Sequence, residues 1–116
     1  MSQTGQRTIH DRNHAFKLVT GRHIATLIEK DPTLLDLARI DLKRMKTRPN
    51  LKDAVRVWED LLAGDPSRVA EMLSRDDEQG DYVRETKPYF VALDERTTKR
   101  LLAEARSLFH ERGPRR

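Results

Sequence analysis

Four histidines are the side chains best suited to acid–base or metal chemistry in this 116-residue chain, which has no cysteine. His10 and His14 stand four apart, so a helix would place them on one side, with Asp11 close by. Two ligands can begin a metal site, but a structural zinc wants four protein ligands and a catalytic one three. Local spacing supplies no third, and the glutamate that follows the first histidine of a metalloprotease helix is missing. His23 falls on an apolar stripe and reads as a core or interface histidine, while His110 lies near the end of the last helical segment, where the dipole favours it. Asp31, Asp36 and Asp41 step by five and drift around a helix, so they do not make a carboxylate pair for acid–base work. Ser2, Ser67, Ser74 and Ser107 stand outside any nucleophile-elbow sequence, and no glycine-rich phosphate loop is present. The reading is therefore non-enzymatic, with no metal and no cofactor.

The elements that would carry these residues are helical. From about Ile9 to Lys30, Phe16, Val19, His23, Ile24, Leu27 and Ile28 recur at three- and four-residue steps. Gly21 inside this run suggests a kink or a boundary, at about 1 kcal/mol relative to Ala. Asp31-Pro32 starts a second helix running to about Lys46, because Asp accepts from free backbone N–H groups and Pro suits the first helical position. Leu34, Leu35, Ala38, Leu42 and Met45 form its inner stripe. Asn50 can cap the next helix, whose stripe of Leu51, Ala54, Val55, Trp58, Leu61 and Leu62 ends at Gly64. Asp65-Pro66 opens a short helix with Val69, Met72 and Leu73 inside. Residues 75–81 read as a polar turn, and 82–93 as an irregular hydrophobic loop or short strand. Asp94 caps the last helix, with Leu101, Leu102, Ala105, Leu108 and Phe109 on its stripe and Gly113-Pro114 at its end. The expected fold is all-α, a compact bundle of about five helices. Residues 1–8 form a flexible lead-in, 9–112 a single helical domain and 113–116 a basic tail.

Composition bounds the rest. Charged residues are 36% of the chain, above the roughly 25% of an average soluble protein. Leu, Ile, Val and Phe number 27, just enough for a thin core. The longest apolar stretch, Tyr89 to Leu93, cannot span a bilayer, and the polar first fifteen residues do not suggest a secretory signal. A cytoplasmic location is expected. The net charge of +4 divides as +5 over residues 1–50, −4 over 51–80 and +3 over 81–116. That order suits a basic face toward nucleic acid, an acidic protein partner, or homo-oligomeric packing. The candidate nucleic-acid-binding residues are Arg39, Lys43, Arg44 and Lys46, beside Arg48, on a helix-turn-helix-like pair. Three of the six aromatics crowd into residues 82–93, and Tyr89 or Phe90, if exposed, would make a docking patch.

The chain resembles small bacterial proteins encoded beside nucleotidyltransferase-like toxin genes and thought to be their antitoxins. The similar elements are Asp31-Pro32 with Leu35, Ala38-Arg39 and Leu42, then Trp58, Leu61-Leu62 and Gly64, then Val83-Arg84, Pro88-Tyr89 and Leu93 with Arg96. Val83 replaces a usual Leu, Tyr89 a Phe, and Val91 an expected Gly. The resemblance implies a module that neutralises a toxin by binding it. Arg84, Tyr89 and Phe90 are the expected partner contacts, with Arg96 in an ion pair that holds the loop or reaches the partner. The alternative is a DNA-binding transcriptional regulator.

Overall fold

The computed structural model describes residues 8–114. Most of the expected lead-in and the last two residues of the basic tail thus lie outside the described residues. Six α-helices follow in order: α1 (Arg12–Lys30), α2 (Leu34–Met45), α3 (Lys52–Ala63), α4 (Pro66–Ser74), α5 (Glu78–Glu85) and α6 (Glu95–Arg112). A single 3₁₀ turn, Pro49–Leu51, precedes α3, and no strand occurs among the described residues. None of the helices is long and apolar enough to cross a membrane.

Aspartates start four of these helices. Asp11, Asp65, Asp77 and Asp94 each accept a hydrogen bond from a backbone N–H in the first turn of α1, α4, α5 and α6. Asp31 acts one turn earlier than its sequence position suggests. It accepts from Thr33 N at 3.2 Å and Thr33 Oγ1 at 2.5 Å, so Asp31-Pro32-Thr33 is a turn and α2 begins at Leu34. Asn50 lies inside the 3₁₀ turn, and Leu51 occupies the start of α3 with no side-chain cap.

Two apolar clusters form the interior. The larger surrounds Trp58 and collects Ile24, Ile28, Leu35, Leu42, Leu61, Val69, Leu73, Val83 and Phe90. The smaller joins Ile9, Ala15, Leu18 and Val19 to Leu101 and Ala105 of α6. Helix α1 spans both and packs mainly on α4 and α6. Gly21 is what lets α1 approach α4, since a Cβ there would lie 2.5 Å from the Leu73 carbonyl and 2.6 Å from Arg84 Cδ. It marks a close crossing inside one continuous helix, not a kink or a boundary.

The main departure from the expected layout is α5. The polar turn at 75–81 and the first four residues of the irregular loop contain a helix that Asp77 opens by accepting from Gly80 N at 2.9 Å. Its inner face consists of Gly80, Val83 and Arg84. A glycine and an arginine at core-facing positions erase the apolar period on which the expectation rested. The irregular segment is accordingly shorter, from Thr86 to Asp94.

Candidate protein-binding surface

Pro88 forbids helix at Lys87, and the chain beyond it alternates in and out. Pro88 is fully buried, Tyr89 exposed, Phe90 buried and Val91 half-buried. Three contacts fix this register. Trp58 Nε1 donates to Thr86 Oγ1 at 3.1 Å, at the entry to the segment. Tyr89 N donates to Asp41 Oδ2 of α2 at 2.7 Å. Lys87 Nζ stands 5.2 Å from the centre of the Phe90 ring, within cation–π range.

Asp41 is the hub of this arrangement. Its other bonds come from Arg44, Nε to Oδ1 at 2.8 Å and Nη2 to Oδ2 at 3.1 Å. The Arg44 guanidinium, with help from the Tyr89 N–H and Lys87, holds the Asp41 carboxyl below the usual range against the opposing effect of burial. Burial pushes the Lys87 ammonium below its ordinary value, and the Asp41 charge partly offsets that.

Because Asp41 sits on α2 one turn after Leu37 and next to Ile40, its bond brings the Tyr89 backbone to the outer side of that helix. Leu37, Ile40 and Tyr89 are 49%, 64% and 63% exposed, the three most exposed large apolar side chains among the described residues. Leu37 and Ile40 carried a signal in the sequence. They fall off the inner stripe of Leu35, Ala38, Leu42 and Met45, so a helix at this place must show them to solvent. Asp41 carried none, since its partner is 48 residues away.

Of the four expected partner contacts, only Tyr89 lies on this surface. Arg84 is a correction: its side chain is 3% exposed, and its guanidinium donates to the Leu73 carbonyl at 2.9 Å, the Arg75 carbonyl at 2.6 Å and Asp81 at 2.7 Å. It caps the C-terminal end of α4 from within, where free carbonyls attract a cation. Phe90 is also a correction, being buried in the larger cluster with Trp58 and Val83. Arg96 is exposed in the first turn of α6 and makes no ion pair among the described residues, so the loop is held by Asp41 instead.

The four expected nucleic-acid contacts are brought onto one helix but are mostly engaged. Arg39 donates to Asp36 at 2.8 Å and to the Leu62 carbonyl at 2.8 Å. Arg44 is held by Asp41, and Lys46 pairs with Glu59 of α3 at 2.7 Å. Lys43 is exposed and without an ion pair among the described residues.

The histidines also find partners. His10 and His14 stack with ring centres 5.4 Å apart. His14 Nε2 lies 3.2 Å from Asp81 Oδ1, and His14 Nδ1 accepts the His10 backbone N–H at 3.3 Å. The surrounding cavity of about 220 Å³ is lined by His10, His14, Asp11, Asp81, Glu85, Lys17, Arg84 and Asn13, with no serine or threonine. Among the described residues no three His, Asp or Glu side chains are grouped to hold a metal ion. His23 is half-buried, its Nδ1 3.4 Å from Arg100 Nη2 in the groove between α1 and α6, and His110 is exposed near the end of α6.

No protein-family model, curated protein sequence or solved structure matches this chain.

Proposed function

We propose that this protein is a non-enzymatic binding module of the antitoxin-like kind, which neutralises a partner toxin, the product of a neighbouring gene in a bacterial cytoplasm, by occupying it. One observation carries the reading: Leu37, Ile40 and Tyr89 stay outside the core while a charged anchor, Asp41, pins the segment bearing Tyr89 beside them. Tyrosine is among the residues enriched at interface hot spots, and a backbone anchored before binding lowers the ordering cost. The proposed contacts are thus Tyr89, Leu37 and Ile40, with Arg96 outside the patch as a further charge for an acidic partner.

Co-expression with the neighbouring gene product tests this. The wild-type chain is expected to relieve growth arrest and to co-purify with its partner. Tyr89→Ala and Ile40→Ala, both at exposed side chains, should each weaken the complex at least about 30-fold, the scale of a roughly 2 kcal/mol anchor. No relief and no co-purification would overturn the reading. Self-association lost in the same two variants would instead identify the patch as a homo-oligomer interface. A DNA-binding regulator acting through Arg39, Lys43, Arg44 and Lys46 is the weaker reading, since three of those four cations are already neutralised or hydrogen-bonded locally.

A further inference from the structure

Positive charge is densest in one contiguous stretch that the boundary at residue 50 divides. Residues 43–56 hold six Lys or Arg against one Asp, a net of +5 in a chain whose total is +4. The end of α2, the 3₁₀ turn and the first half of α3 close around an open concavity of about 330 Å³ in this stretch. Its charged lining is Lys46, Arg48, Lys52, Arg56 and Glu59. Glu59 is the only carboxylate in the lining, and it is taken by Lys46 at 2.7 Å. Arg48, Lys52 and Arg56 are exposed and make no ion pair among the described residues, as is also true of Lys43 and Arg96, but these three line one concavity together.

The shape and chemistry narrow the occupant. Lys52 and Arg56 are one turn apart, about 6 Å along the helix axis, so both sit on the same side of α3. The remaining lining is Pro49 and Val55, with no aromatic on which an unpaired base could stack. Asp53, the acidic residue in the first turn of α3, lies on the neighbouring helix face and outside the lining.

We propose that this concavity binds the phosphodiester backbone of a nucleic-acid duplex through Arg48, Lys52 and Arg56, at a surface separate from the Tyr89 patch. Three phosphate contacts give a slope of about −2.7 in log K against log salt, a weakening of roughly 40-fold between 50 and 200 mM salt. Fluorescence anisotropy with short random-sequence duplex DNA, duplex RNA and single-stranded oligothymidylate reads this directly. Binding to either duplex, or to both, with a slope near that value supports the site, and the preference between them identifies the source of the backbone. Substituting Arg48→Gln, Lys52→Gln and Arg56→Gln together should remove duplex binding, while Arg106→Gln on α6 should leave it intact. If the triple variant loses its helical circular dichroism, Lys52→Gln alone should still lower the slope by about one. Slopes shallower than −1, tighter binding of the single strand, or equal competition by polyglutamate would each overturn the proposal. Tyr89→Ala is expected to leave the anisotropy unchanged, so loss of the toxin-binding reading and loss of this one are distinguishable.

Discussion

At the scale of single residues, the informative side chains are those whose neighbours leave them no freedom. Arg84 is buried because the Leu73 carbonyl of α4, the carbonyl of its C-cap Arg75 and Asp81 together replace the water that its guanidinium gives up. Arg84→Met fills similar space but leaves those carbonyls and the carboxylate short of a donor. It is expected to cost about 3 kcal/mol or more in urea unfolding, and an unchanged midpoint would refute the capping role. Gly21 gives a test of sign. In an open helix Gly21→Ala would stabilise by about 1 kcal/mol. Here the added methyl meets the Leu73 carbonyl and the Arg84 side chain, neither with room to move, so the expected result is a net loss of about 1–3 kcal/mol. A stabilised variant would mean that α1 and α4 separate easily.

At the scale of elements, the Thr86–Asp94 segment depends on one ionised carboxylate. The Asp41 pKa is lowered in the folded state, chiefly by Arg44, so its contribution is complete above the unfolded value near 3.9 and is lost as pH falls through the folded one. The Tyr89 amide proton resonance should therefore titrate with a midpoint below about 3.9, and Asp41→Asn should abolish that titration. A midpoint above that value would show that the segment does not rely on the charge. This dependence also explains what could be read in advance. Helix α3 was legible because Ala54, Val55, Trp58, Leu61 and Leu62 keep an unbroken helical period over a fully apolar face. Helix α5 was not, since its inner face is a glycine whose Cβ would strike the Arg75 carbonyl and an arginine that caps another helix. The candidate surface was half legible. Tyr89 was expected as a contact, and it is exposed because Pro88 and Phe90 on either side are buried. Its companions come from α2 through a hydrogen bond that no local pattern encodes.

At the scale of the whole molecule, two clusters share one long helix, and a contact between Ile9 and Arg112 fastens the smaller one. Ile9 is fully buried against α6, and its N–H donates to the Arg112 carbonyl at 2.8 Å, while the Arg112 side chain pairs with Asp76 between α4 and α5. Helix α6 has α1 as its main helical partner, and Ile9, Asp76, Leu108 and Phe109 help to tie its far end to the rest. Ile9→Ala removes a fully buried side chain and should cost about 2–5 kcal/mol. The loss should not be spread evenly. The buried residues of α2, α3 and α4 belong to the cluster around Trp58 and not to that of Ile9, so hydrogen exchange in α3 should change little at native pH. Exchange in α6 should accelerate strongly, because its cluster loses a fully buried residue next to the Arg112 end. An equal loss of protection in α3 and α6 would show instead that the two clusters open as one unit, and that α1 transmits the damage along its length.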